Sequence, residues 1–226
     1  MIRRFILGLM AFLVAAPLAA APTADWSKVA VRTADGSFVQ GNPNAKLKLV
    51  EYLSFTCPHC AHFEHEAIAP LTAKYIRTGL VSYEVRHAIR DGYDLAATLL
   101  ARCSGPAPFF GAAPAVFAAQ NAWIGQAQRW AETKPALDGL PPEQILPKMA
   151  AGSGLTKMFV ARGLSPARAQ ACLAGAADRN LISAQADKAW NMPGFPGTPT
   201  FVLNGQMLGA MDGWADLDTA LTQALK

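Results

Sequence analysis

One stretch constrains this chain more than any other: Glu51 to Glu66, which reads EYLSFTCPHCAHFEHE. An apolar run, Leu47 to Phe55, feeds Cys57-Pro58-His59-Cys60 and then a helical pattern, so Cys57 is expected where a strand ends and a helix begins. There the first-turn N–H groups lack intrahelical partners and the helix dipole places partial positive charge, which favours a thiolate over a thiol. Pro58 suits the first helical position, which needs no N–H and has the φ that proline already holds. Two intervening residues let Cys60 come within disulfide reach of Cys57, so the pair can carry two electrons.

The segment ahead of this stretch reads as an address. Arg3 and Arg4 precede an uncharged apolar run, Phe5 to Ala16, and Pro17 to Ala24 is rich in small residues. These are the charged, apolar and cleavage regions of an export signal, expected to occupy residues 1–21, with the cut at about residues 19–24. A membrane anchor is the alternative, but the apolar run is short for a bilayer span. Cleavage removes two arginines and no acids, so the net charge of +4 falls to +2. With no dense basic run, neither nucleic acid nor an anionic membrane is an expected partner. Cys57, Cys60, Cys103 and Cys172 all remain after cleavage, and export places them in an oxidising compartment.

Along the remaining chain, Lys28 to Arg32 and Ser37 to Gln40 flank Asp35-Gly36 and predict a hairpin. Lys46 to Phe55 predicts a central strand buried on both faces. A helix follows from about Pro58 to Arg77, bent near Pro70, and then a strand from Leu80 to His87. Strand, helix and strand at this spacing imply a right-handed parallel crossover. From Gly92 to Trp190 alanine is abundant and β-branched residues are sparse, which predicts a cluster of short helices. Their expected spans are Leu95 to Cys103, Ala113 to Asn121, Pro142 to Ala151, Leu155 to Arg162, Pro166 to Ala174 and Ala176 to Trp190. Thr200 to Leu203 and Gln206 to Leu208 flank Asn204-Gly205 as a second hairpin, and Asp212 is expected to cap a last amphipathic helix.

In these residues the chain resembles the DsbA-like thiol:disulfide oxidoreductases of the thioredoxin superfamily. The resemblance rests on Cys57-Pro58-His59-Cys60, on Glu51 six residues ahead of the first cysteine, on Gly197-Thr198-Pro199-Thr200-Phe201 before the last hairpin, and on a helical insertion between two β-rich ends. It implies an α/β thioredoxin fold, a central mixed sheet flanked by helices, formed by residues 37–91 and 191–226, with an inserted helical domain at 92–190. It also implies roles. Cys57 is the exposed nucleophile, Cys60 its shielded partner, Pro199 a cis proline facing the disulfide, Thr198 the neighbouring substrate contact, and Glu51 a semi-buried acid that exchanges protons with the buried cysteine. No separate cofactor is implied beyond the redox-active Cys57–Cys60 disulfide. The implied partners are reduced or unfolded exported proteins and a quinone-linked, DsbB-like membrane reoxidase, with the protein a monomer in the periplasm. Thr198, where the namesake more often has valine, is shared with other branches, and an isomerase or reductase kept reduced is the alternative function.

The residues admit other uses. Cys57 and Cys60 are half of a zinc set that His59, His62 or His65 would complete, the alternative being a non-enzymatic metal-binding module. A histidine at His59 also favours the Cys57 thiolate. His62, His65 and His87 are expected to be solvated or packed, and Phe63 to be core. Glu51 in an apolar run is expected to be buried with a raised pKa, the alternative being a solvated strand-edge carboxylate. Cys103 and Cys172 are expected to form a structural disulfide, since free thiols beside an oxidising pair would exchange; two separate buried thiols are the alternative.

Overall fold

The computed structural model describes residues 24–226, and the expected export signal lies outside them. A hairpin of β1 (Ala30–Arg32) and β2 (Phe38–Gly41) comes first, turning at Gly36, whose φ of +86° suits a residue without a Cβ. Then come β3 (Leu47–Leu53), α1 (Pro58–Leu71), a π-helical turn at Thr72–Ile76, and β4 (Val81–His87). Seven helices follow: α2 (Gly92–Arg102), α3 (Pro106–Ala118), α4 (Gln120–Glu132), α5 (Pro142–Gly152), α6 (Leu155–Ala161), α7 (Pro166–Ala174) and α8 (Ala176–Trp190). The chain ends with β5 (Thr200–Leu203), β6 (Gln206–Met207) and α9 (Trp214–Ala224).

Among the described residues the strands form one mixed sheet in the order β1-β2-β4-β3-β5-β6. β3 lies parallel to β4, as the crossover through α1 requires, and antiparallel to β5. That second pairing positions the site. Tyr52 faces Thr200 and Glu51 faces Phe201, so the residues just before β5 arrive beside those just after β3. Thr198-Pro199 is thereby brought to Cys57 from 141 residues away.

Alternation along β3 sends Leu47, Leu49, Glu51 and Leu53 to one face and Val50 and Tyr52 to the other. The first face meets α1, α3 and α9 in the main core, where Phe63 packs on Phe201 with ring centroids 4.5 Å apart. The second carries a smaller cluster of Tyr52, Ala88 and Ala189, closed by Phe195 edge-on to Tyr52 at 5.6 Å. The helical segment shares the main core instead of forming its own: Phe109 of α3 packs on Phe38 at 5.3 Å, and Phe117 on Phe55 at 4.9 Å. That last pair joins the segment to the loop that carries Cys57.

Several boundaries differ from expectation. The single helix expected at 113–121 is two helices, α3 and α4. Pro106 and Pro108 fall in the first turn of α3, where no N–H is required, so prolines that read as breakers begin a helix instead. α2 starts at Gly92, with Asp91 capping the N–H groups of Tyr93 and Asp94. Asp212 does not cap the last helix; Gly213 precedes it, and the Asp212 N–H donates to Asp216 Oδ2 at 2.9 Å. β1 also lies ahead of residue 37, because its pairing with β2 extends the sheet.

Candidate active site

Cys57 stands at the N-cap of α1 with extended backbone (φ −85°, ψ 121°), and Pro58 opens the helix. The Cys57 side chain makes no capping hydrogen bond in the thiol form, and the N–H groups of His59 and Cys60 lie close enough to its sulfur to favour the thiolate. A hydrogen bond from the Cys60 thiol, one with the Thr198 side chain and the two N–H groups together outweigh burial and pull the Cys57 thiol down to about 5. In the thiol form Sγ donates to the Thr198 carbonyl at 3.1 Å. Cys60 is fully buried, and burial, the hydrogen bond to Cys57 and the charge of Glu51 hold its thiol well above the usual range. Two sulfurs of one motif thus have opposite acidities. The pair is in the dithiol form, and Cys57, expected to be exposed, is buried at 3% exposure because its Sγ lies against the Thr198 carbonyl.

Beneath them Glu51 is buried on β3, and burial raises its carboxyl to about 7 against the opposing hydrogen bond from the Tyr83 hydroxyl. Glu64, one turn after Cys60, is also buried; burial and the Glu51 charge push it up to about 8, and its Oε1 has no partner. Beside Glu64 lies a cavity of about 120 Å³ lined also by Gln40, Leu53 and Tyr83.

Thr198-Pro199 is a cis peptide, and the Thr198 carbonyl lies against Cys57 Sγ. With His59, Phe63, Met207 and Met211 these residues line an open groove of about 440 Å³ whose floor is apolar. His59 is exposed at its edge. The site can therefore hold one activated sulfur against Thr198, which also lines the open groove, with a second sulfur and a neutralisable acid buried nearby.

The structure brings Glu51, Cys57, Pro58, His59, Cys60, Thr198 and Pro199 into this one site. Cys103 and Cys172 stand apart in the helical segment, joined as a disulfide with Cα atoms 5.8 Å apart. His62 and His65 are exposed, while His87 is fully buried between Phe55 and Phe109, where burial depresses its pKa. Among the described residues no cluster of three or more His, Cys, Asp or Glu side chains is arranged to hold a metal ion. No helix among them is long and apolar enough to cross a membrane.

Five further residues belong to the surroundings and are absent from the sequence expectations. Tyr83 would have emerged from strand alternation, since it pairs with Leu49 and so shares the face of Glu51. Glu64 lies four residues after Cys60, on the same helix face. Asp91 and Asp94 sit at the start of α2, three residues ahead of its expected start, and Gln120 begins a helix whose existence no periodicity announced.

A thioredoxin family model matches residues 33–223. A Rickettsia felis protein named "Putative protein-disulfide oxidoreductase" is 30% identical over 201 residues, which are 88% of this chain and 64% of that protein. The chain thus spans under two thirds of the length of that relative. A crystal structure of protein-disulfide isomerase from Novosphingobium aromaticivorans superposes with a TM-score of 0.75 at 32% identity, over 86% of this chain and all of that one. Wolbachia pipientis alpha-DsbA1 shares the fold, with a TM-score of 0.66 at 20% identity over 92% of this chain and 93% of that one.

Proposed function

Because the chain belongs to the thioredoxin family and is similar to protein-disulfide oxidoreductases, we propose that it is a DsbA-like, periplasmic thiol:disulfide oxidoreductase that donates the Cys57–Cys60 disulfide to reduced exported proteins. The observation that carries this is the opposed acidity of the two thiols, Cys57 drawn down to about 5 and Cys60 pushed well up. Stabilising the Cys57 thiolate stabilises the dithiol relative to the disulfide, so the disulfide is given up readily.

In the forward direction a client thiolate attacks Cys57 Sγ of the oxidised pair. A client–Cys57 disulfide forms, the Cys57–Cys60 bond breaks, and Cys60 leaves with the electron pair. Cys60 is a poor leaving group by its high pKa, and Glu51, near 7, is the acid that supplies its proton. A second client thiolate then attacks the client sulfur of the mixed disulfide and expels Cys57 as its stable thiolate. The client loses two electrons and two protons; the protein gains the two electrons. Thr198 and Pro199 shape the groove in which the client backbone lies, and His59 stands at its edge beside the reacting sulfur. Reoxidation falls to a quinone-linked, DsbB-like membrane partner, and the protein works as an exported monomer after loss of its leader. Cys103–Cys172 is structural and takes no part in the exchange.

The test is disulfide transfer from oxidised protein to a reduced two-cysteine peptide, quenched by acid and read by mass spectrometry. The peptide should gain one disulfide per Cys57/Cys60 pair reduced, Cys57→Ser should abolish transfer, and Cys60→Ser should accumulate the mixed disulfide. An isomerase kept reduced would instead show Cys57 and Cys60 mainly as thiols when trapped directly from cells, which would overturn the oxidase assignment.

A further inference from the structure

The loop that leads into the redox helix is held by side chains at the start of α2 and of α4. The Phe55 N–H donates to Asp94 Oδ1 at 2.8 Å, and the other oxygen of Asp94 accepts the Arg90 N–H at 3.0 Å. Thr56 Oγ1 donates to Asp91 Oδ2 at 2.8 Å. The buried amide of Gln120 donates to two carbonyls at once, those of Phe55 and Cys57, each at 2.9 Å. Carbonyl oxygens only accept, so the Gln120 nitrogen must face them, and both of its protons are committed. A buried amide is costly unless it is paired, and the partners that pay for this one are the backbone on either side of Thr56. A Gln120 fixed by α4 and an Asp94 fixed by α2 therefore hold Phe55 by both of its backbone polar groups, and Gln120 also holds the Cys57 carbonyl.

We propose that Gln120, with Asp94, is a positioning residue of the redox site: through the backbone of Phe55 and Cys57 it fixes where the Cys57 sulfur lies against the N–H groups of His59 and Cys60. Neither side chain touches the sulfur. Their effect is on its geometry, because a thiolate held by N–H groups loses those bonds when its own backbone is free to slide. The helical segment thus tunes the thiol it surrounds, beyond any part it has in binding clients. The inference rests on Cys57 being the reactive thiol.

The test is the thiolate absorbance titration of reduced protein, run on four chains: parent, Gln120→Met, Gln120→Asn and Leu173→Ala. Gln120→Met fills the same space with no donor, and Gln120→Asn is one methylene shorter and reaches one carbonyl at most. Leu173→Ala loosens the same helical segment from a buried position in α7, away from the loop. Weakening one charge-assisted bond to the sulfur should raise the Cys57 midpoint by about half to one pH unit in Gln120→Met. Gln120→Asn should shift less in the same direction, and Leu173→Ala should lower the melting temperature while leaving the midpoint alone. An unchanged midpoint in both Gln120 variants, an equal shift in Leu173→Ala, or failure of both Gln120 variants to fold would overturn the proposal. A parent without a low-pH thiolate transition would instead sink the assignment of Cys57 as the reactive thiol.

Discussion

Reduction should stabilise this protein, and the gain should depend on pH in a way that isolates one sulfur. The perturbation is the redox state of Cys57 and Cys60, studied between pH 4.5 and 8. In the folded dithiol Cys57 titrates at about 5, against about 8.5 for a free cysteine in the unfolded chain. A depressed folded pKa contributes stability that is complete above the unfolded value, shrinks as pH falls through the window from about 8.5 to about 5, and is absent below it. At pH 7 the two-unit gap from 5 is worth about 2.7 kcal/mol, which screening of the thiolate reduces to about 2 kcal/mol. The oxidised protein has no such thiolate. Glu51, Glu64 and Asp94, whose carboxyls burial raises to about 7, 8 and 7, titrate in both forms, so their contributions largely cancel in the difference. Urea unfolding of both forms, with Cys103–Cys172 verified intact by mass spectrometry, should show the reduced form gaining about 2 kcal/mol on the oxidised between pH 5 and 7. Parallel stability curves over that range, or a thiolate absorbance midpoint near 8.5, would refute the reasoning.

Other outcomes follow from the same geometry. Glu51→Gln removes the proposed proton donor to Cys60, and single-turnover transfer should slow about 10- to 100-fold and lose its pH dependence around 7. Cys103→Ala with Cys172→Ala opens a loop of 69 residues and should cost about 2–4 kcal/mol in denaturant unfolding while leaving the Cys57 midpoint in place. Phe63→Ala, which empties the contact of α1 with Phe201, should cost about 3–5 kcal/mol by the same assay. Glu64 has a folded pKa raised by burial, so the stability associated with its protonated form is lost as pH rises towards about 8. Glu64→Gln should therefore unfold at higher denaturant than the parent at pH 8, with the advantage vanishing near pH 4.

Much of the site was legible because its chemistry is local. Cys57, Pro58 and Cys60 announce a helix start and a redox pair by spacing alone, and Glu51 was marked as buried by the apolar run around it. Pro199 and Thr198 were not legible that way: their approach to Cys57 is set by the pairing of β5 with β3, and only resemblance to a family supplied it. The helical segment was harder. Its alanine-rich composition gave helices, but first-turn prolines disguised the start of α3, and α4 is half exposed with Gly125 in its middle, so no apolar stripe revealed it. Asp94 lies one residue ahead of the expected start of α2, and Gln120 lies near the end of the expected helix at 113–121 although it begins α4. Nothing in their neighbours along the chain shows that they face a loop 39 and 65 residues away, because a buried hydrogen bond across that distance leaves no periodic trace.

The most direct measurement of the central claim is the equilibrium of Cys57 and Cys60 with a glutathione buffer at pH 7. A thiol at about 5 instead of the about 7 of thioredoxin gains roughly 1.7 units of thiolate stabilisation at that pH, or about 50 mV for two electrons. The potential should therefore lie above about −220 mV, against about −270 mV for thioredoxin. A value at or below that of thioredoxin would contradict the assignment of this protein as a disulfide donor.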